Sequence, residues 1–261
     1  MLDGINHLAN HAIQMFRREM FSEEAIALTE PLEILRLVLS YEGVVQTSAL
    51  GPSGLVISHM ISTLTTKKIP IVFIDTLYHF NETLDLLQHV KDSGMDVRVV
   101  RPQGADTREE FETKYGKELW KTDPDSYDFL CKAEPGRRAY LALGAKVVIT
   151  GRRRSQGDER SGLGAFEWDK SFNQPILKVN PLAFWKFDQV WEYIRRNAIA
   201  YNPLHDRGYK SIGDIHSTQP TIQGQSEREG RWQGQDKTEC GLHKDYFSLK
   251  MKAKQAAAQT R

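Results

Sequence analysis

The sequence predicts an α/β protein: a doubly wound, mostly parallel sheet with helices on both faces, followed by a C-terminal lid segment carrying a candidate nucleophilic cysteine. Three observations predict it. Short Val- and Ile-rich runs without polar alternation recur through the first two thirds of the 261 residues. Longer helical patterns separate them. Finally, His205–Cys240 holds six apolar residues in 36 positions, too few to bury a core of its own.

The strand-like runs are Gly43–Ala49, Ile69–Asp75, Asp96–Val100 and Ala145–Thr150. Continuous apolar strands are what a parallel sheet covered on both faces requires. Helices are expected over Leu55–Thr66, Asn81–Ser93, Thr107–Tyr115 and Pro124–Leu143, the last opened by the Asp123-Pro124 start signal. Two short helices, Ser22–Ala27 and Pro31–Ser40, precede the first strand, and Phe187–Asn197 is amphipathic, with Val190, Trp191 and Ile194 on one face. Alternation of this kind makes βαβ units, hence a doubly wound sheet. The organisation expected is N-terminal helices over 1–42, a nucleotide-binding α/β domain over 43–200, and a lid and tail over 201–261.

Composition narrows the function classes. Thirty-five Lys and Arg against 34 Asp and Glu leave a formal charge of +1, so no broad basic surface serves nucleic acid or membrane. Any anion site must be local. Two cysteines, Cys131 and Cys240, exclude a disulfide framework and a four-thiolate zinc site. No run reaches the ~18 apolar residues of a membrane span, the first residues lack the apolar core of a signal peptide, and a cytoplasmic location is expected. His7 and His11 have ligand-like spacing, but without a third ligand a solvated helix face accounts for them.

Three places carry chemistry. Between the first strand and its helix lies Ser48-Ala49-Leu50-Gly51-Pro52-Ser53-Gly54, whose glycines and helix N-terminus suit close backbone approach to an anion, with Ser48 and Ser53 as added donors. It is neither a Walker A loop nor Gly-x-Gly-x-x-Gly. After the fourth strand comes Gly151-Arg152-Arg153-Arg154-Ser155-Gln156-Gly157, whose three guanidiniums are expected to face the same crevice. Asp75-Thr76, closing the second strand, is placed to bond a ribose or base there. The third place is Cys240 in Lys237-Thr238-Glu239-Cys240-Gly241-Leu242-His243, a polar setting in which Lys237, His243 and Lys244 favour the reactive thiolate and Glu239 opposes it. Cys131, in a helical apolar context, reads as buried.

Taken together these residues resemble the thioredoxin-dependent phosphoadenylyl-sulfate reductases from about Gly43 to His243. The resemblance rests on the Ser48–Gly54 loop, Asp75–Thr83, Thr150–Gly157, Asn180–Leu182, Tyr201–Asp206, Gly208–Gly213, Arg228-Glu229-Gly230-Arg231-Trp232 and Glu239-Cys240-Gly241-Leu242-His243. Each is weak alone; all of them in order are specific. The resemblance implies an adenine-nucleotide α-hydrolase-like fold. It also implies reduction of phosphoadenylyl sulfate to sulfite and adenosine 3′,5′-bisphosphate through a thiosulfonate on Cys240, resolved by reduced thioredoxin. Substrate contacts are expected from Ser48, Leu50, Gly51, Pro52, Ser53, Gly54, Asp75, Thr76, Gly151, Arg152, Arg153, Arg154, Gln156, Arg228, Arg231, Trp232 and His243, and a homodimer is implied.

Departures set the subclass. Related adenylyl-sulfate reductases hold an iron–sulfur cluster on a Cys-Cys pair and a later Cys-x-x-Cys. Here the first reads Leu130-Cys131 and the second Asp214-Ile215-His216-Ser217, so no bound cluster or other metal is expected. That class implies the substrate with the extra 3′-phosphate. Leu77 and Asn81 stand where the pattern has Gly and Pro, and Arg152 replaces a more usual Leu. Two other readings compete: an ATP-pyrophosphatase-type adenylating enzyme of the same fold, whose Ser-Gly-Gly-x-Asp-Ser loop has an Asp that Ser48–Gly54 lacks, and a non-enzymatic nucleotide-binding redox module.

Overall fold

The structure, a computed structural model, describes residues 27–169, 171–172, 175–222 and 224–232. The expected helix Ser22–Ala27 falls almost wholly outside that span, as do His7, His11, Cys240 and His243. In chain order the regular elements begin with α1 (Pro31–Leu39), β1 (Val44–Thr47), α2 (Pro52–Leu64), β2 (Ile71–Ile74), α3 (Asn81–Asp92) and β3 (Val97–Val100). They continue with α4 (Arg108–Tyr115), α5 (Leu119–Thr122), α6 (Pro124–Asp128), α7 (Glu134–Ala142), β4 (Val147–Thr150), β5 (Phe166–Asp169), β6 (Ile176–Val179) and α8 (Phe187–Arg196).

The strands form one sheet of six in the order β3-β2-β1-β4-β6-β5, parallel except for β5. The four apolar runs became the four consecutive inner and outer parallel strands. The remaining pair was not foreseen. Phe166–Asp169 is half-buried throughout and carries Glu167 and Asp169, while β6 carries Lys178, so neither shows the continuous apolar signature. Their charges pair within the sheet: Lys178 Nζ lies 2.6 Å from Asp169 Oδ2.

Helices cover both faces. On one, Ile34, Leu35 and Val38 of α1, Val56, Ile57 and Met60 of α2, and Val190 and Ile194 of α8 pack against Val44, Ile149 and Val179. On the other, Ala139 and Tyr140 of α7 pack against Val45, Val72 and Val148. Burial of such side chains, at about 1.5–3 kcal/mol each, drives the layering. One polar residue crosses it: buried Gln46 of β1 donates to Gly54 O at 2.8 Å and accepts from Ser58 Oγ at 3.0 Å, fixing the start of α2 against the strand.

The long helix expected over Pro124–Leu143 is divided by a π-helical turn, Phe129–Ala133. Pro135 is the reason. It has no N–H for the carbonyl four residues back, and its ring crowds that carbonyl, so the backbone widens by one residue there. The turn buries Cys131, Lys132 and Ala133 together.

Nearby, α4 opens with a capping box: Glu110 N donates to Thr107 Oγ1 at 3.2 Å, and Thr107 N to Glu110 Oε2 at 3.3 Å. The helix buries Phe111 against Tyr78. Thr107→Ala is expected to lower stability by about 1 kcal/mol, read as a shift of the urea unfolding midpoint at unchanged slope.

Candidate active site

Chain direction selects the site before any side chain does. From β1 the chain winds outward through β2 to β3, then returns to place β4 on the other side of β1. The loops leaving β1 and β4 therefore diverge, and a crevice opens between them beyond the strand ends. A cavity of about 170 Å³ lies there, lined by Thr47, Ser48, Ala49, Gly51–Gly54, Gly151 and Gln156, and closed by Lys210, Ser211, Ile212 and Glu227 of the C-terminal segment. A larger cavity of about 330 Å³ sits where the loops enter β2 and β3, beside exposed Lys67 and Lys68, far from the switch point.

The Ser48–Gly54 loop is shaped by strain and close packing. Leu50 holds φ +56 while its side chain is buried among Leu55, Phe73 and Leu86, and its N–H donates to Ser48 Oγ at 3.0 Å. A left-handed Leu costs roughly 1–2 kcal/mol, which the apolar burial offsets. Gly51 precedes α2 and Pro52 opens it, so the helix presents its first-turn N–H groups toward the cavity. Gly54 touches Ser48; an added Cβ would collide with Ser48 Oγ.

The three arginines do not converge. Arg153 alone turns inward: its side chain is 1% exposed. Nε donates to Ser53 Oγ at 2.9 Å, NH1 to Ser155 Oγ at 2.7 Å, and NH2 to both Glu227 oxygens at 2.7 and 2.5 Å. Its backbone is extended, which sends neighbouring side chains to opposite sides. Arg152 accordingly pairs with Glu167 of β5, and Arg154 donates to Leu163 O at 2.7 Å and lies over Phe184. Gln156 accepts from Arg153 N at 3.0 Å and donates to Glu227 Oε1 at 3.2 Å.

Asp75 and Thr76 close β2 but do not line the cavity. Asp75 accepts from Arg101 Nε at 2.9 Å and from Leu77 N at 3.0 Å. The adjacent Leu77 has φ +68, the left-handed region that explains why the family pattern carries Gly there. Thr76 Oγ1 donates to Asp214 Oδ1 at 2.6 Å. Arg228 and Arg231 flank the ring of Trp232, at 5.2 and 4.5 Å from its centroid, and Arg231 NH1 reaches Ser211 Oγ at 3.5 Å.

The segment after residue 201 lies over the domain as expected, up to the last described residue, Trp232. Ile215 N donates to Tyr78 O at 2.8 Å, Trp232 N to Ser217 O at 3.0 Å, and Glu227 holds Arg153. Sequence reading did not single out Lys210, Ser211, Ile212 or Glu227 as site residues. The Gly208–Gly213 motif marked the first three as a matching piece, whereas no local signal marked Glu227. Cys131 is fully buried beside Tyr127, and burial pushes its thiol well above the ordinary range, with the Asp214 carboxylate adding to the shift. Among the described residues no three His, Cys, Asp or Glu side chains gather as a metal site.

Gly54→Ala is expected to force Ser48 out of the loop and lower stability by about 1–3 kcal/mol, read as a shift of the urea unfolding midpoint.

The model of the phosphoadenosine phosphosulfate reductase domain matches residues 43–220. A probable phosphoadenosine phosphosulfate reductase of Schizosaccharomyces pombe is 52% identical over 200 residues, 76% of this chain and 73% of that protein. The phosphoadenosine phosphosulfate reductase of Saccharomyces cerevisiae is 43% identical over 246 residues, 91% of this chain and 94% of its own length. A crystal structure of phosphoadenylyl-sulfate reductase from Candida auris, a phosphate complex, superposes with a TM-score of 0.67 at 42% identity, covering 84% of this chain and 98% of that one. With its fold and most of its length shared in this way, the chain belongs to the phosphoadenosine phosphosulfate reductase family.

Proposed function

We propose that the chain reduces 3′-phosphoadenylyl sulfate to sulfite and adenosine 3′,5′-bisphosphate in assimilatory sulfate reduction. The observation that carries this reading is the crevice at the switch point. There the first turn of α2 and the loop Ser48–Gly54 face Gly151 and Gln156, and the buried Arg153 donates to Ser53 of that wall. Backbone N–H groups at a helix start and a guanidinium fork are the donors a nucleotide's phosphates need. Arg153 is the arginine of the triplet that bonds two residues of the crevice wall, Ser53 and Glu227, so an anionic ligand at Ser53 competes with the Glu227 carboxylate for the fork.

Cys240 supplies the chemistry. Its thiolate attacks the sulfate sulfur, the S–Sγ bond forms, and the bond from sulfur to the bridging oxygen breaks, so the bisphosphate leaves with the electron pair. The product on the protein is a Cys240 thiosulfonate. A thiolate of reduced thioredoxin then attacks Cys240 Sγ and expels sulfite, and its second thiol resolves the mixed disulfide. With Cys131 buried and its thiol unreactive at neutral pH, an external dithiol is required. The lid, residues 201–261, delivers Cys240 to the crevice and then to the partner.

No resident iron–sulfur cluster belongs to this reading. The chain has two cysteines, and the positions of the family's other cluster cysteines hold Leu130, Asp214 and Ser217 beside the ammonium of Lys132, a donor set unsuited to four thiolate bonds. A homodimer and a cytoplasmic location complete the proposal; among the described residues no helix is long and apolar enough to cross a membrane. The adenylating alternative lacks its loop aspartate and leaves Cys240 without a role.

Incubation with the nucleotide and no thioredoxin is expected to leave a sulfonate on Cys240, detected by mass spectrometry, and Cys240→Ser is expected to abolish sulfite release while bisphosphate binding persists. ATP cleavage to AMP without thiol-dependent sulfite would refute the reading. Replacing Arg153 with Ala is expected to weaken phosphoadenylyl sulfate more than adenylyl sulfate, by about tenfold in relative KM, whereas Arg152→Ala and Arg154→Ala change that ratio little. Equal losses on both substrates would remove the 3′-phosphate from Arg153.

A further inference from the structure

A second buried charge cluster lies outside the crevice, and the chemistry above does not use it. Lys132, 7% exposed, places Nζ 2.9 Å from Asp128 Oδ1 and 2.9 Å from Asp214 Oδ2. Asp214 is 2% exposed, and its other oxygen accepts from Thr76 Oγ1 at 2.6 Å. Burial alone would raise the Asp214 carboxyl, but the Lys132 ammonium, with His79, His216 and the Thr76 hydroxyl, holds it far below the carboxylate range. Aromatic rings wall the cluster: Trp120 stacks on His216 at 4.3 Å, and Tyr127 lies 5.0 Å from the ammonium.

The cluster joins three distant stretches of chain. Asp128 and Lys132 come from the π-interrupted helix, Thr76 from the end of β2, and Asp214 from the C-terminal segment. Asp214 stands two residues after Ile212 of the cavity's closing wall and bridges His79 through the backbone. Beyond it, Ser217–Gln219 and Gly230–Trp232 pair with each other, which ties the end of the segment back to the residues just after Asp214. Cys240 follows Trp232 by eight residues, a tether of at most about 28 Å. Where that segment is rooted therefore decides what Cys240 can reach.

A buried ion pair contributes little net stability against well-packed apolar groups, but any misplacement leaves a charge unpaired in the interior. It is an expensive contact to shift and a good one to fix a register.

We propose that Asp214, gripped by Lys132 and Thr76, is a positioning residue: it roots the 210–232 segment on the strand ends and so aligns both the crevice wall and the approach of Cys240 to bound nucleotide. The part concerning Cys240 rests on the proposed function.

Asp214→Asn keeps the shape and the Thr76 hydrogen bond but removes the charge, leaving Lys132 paired with Asp128. Three measurements on the full chain test it: trypsin cleavage after Arg207, Lys210, Arg228 and Arg231; bisphosphate affinity; and single-turnover formation of the Cys240 thiosulfonate. The expected result is cleavage at those sites faster by about tenfold, thiosulfonate formation slower by about tenfold, and affinity weaker by about threefold, because the Lys210–Ile212 wall loosens while the Ser48–Gly54 loop is untouched. Alkylation of Cys240 by iodoacetamide without nucleotide stays unchanged, because the thiol itself is untouched. Glu192→Gln, which breaks the exposed Arg196–Glu192 pair, serves as control and changes none of these. Cleavage and thiosulfonate formation both at wild-type rates would overturn the proposal, as would cleavage spread over the whole chain with affinity lost in parallel, the mark of general destabilisation. If the wild type forms no thiosulfonate, the proposed function fails, while the cleavage pattern still decides whether Asp214 roots the segment. Should Asp214→Asn not accumulate folded, Thr76→Val removes the other grip on the carboxylate and carries the same expectation at smaller size.

Discussion

The guanidinium of Arg153 is the interaction on which the site depends. A charge buried to 1% exposure survives only with every fork of its guanidinium engaged, and those forks go to Ser53, Ser155 and Glu227. The residue thereby ties the start of α2, the loop after β4 and the C-terminal segment into one wall. The crevice owes its shape to a charge that cannot be left unpaired.

The second buried charge, Lys132, acts alongside it from the other side of β2. Arg153 reaches the C-terminal segment at Glu227 and Lys132 reaches it at Asp214, so a stretch with few apolar residues is held at two ionic points rather than by a core. This explains how so polar a segment comes to lie closely on the domain. It also accounts for the arrangement of the helix from Pro124 to Ala142, since the π turn imposed by Pro135 brings Lys132 inward with Cys131.

Much of the fold was legible because parallel strands covered on both faces are apolar along their length. Val44–Thr47, Ile71–Ile74, Val97–Val100 and Val147–Thr150 fall inside the expected runs, and α3, α4 and α8 fall within a residue of the expected helices. The edge pair β5 and β6 was not legible, because Glu167, Asp169 and Lys178 break the apolar signature and find their partners only in the packed chain, Asp169 and Lys178 across the pair and Glu167 at Arg152. The break in the long helix was written in Pro135, though its consequence is visible only where the widened turn packs. In the site, the Ser48–Gly54 loop was legible from its place between strand and helix. The arginine triplet was legible as a cluster but not as a direction, since alternation in an extended segment sends Arg153 inward and its neighbours to Glu167 and Leu163.

By itself the sequence determined the family, the parallel sheet, the anion loop after β1 and the identity of the candidate nucleophile, because each is encoded in contiguous residues whose chemistry is local. Only the tertiary structure decided which arginine bonds the crevice wall, that Glu227 pairs with it, that Asp75 and Thr76 turn to Arg101 and Asp214, and that Lys132 holds the C-terminal segment. Those are pairings between residues up to 138 positions apart. Their partners are selected by the cost of burying a charge alone, a quantity that exists only once the chain has packed.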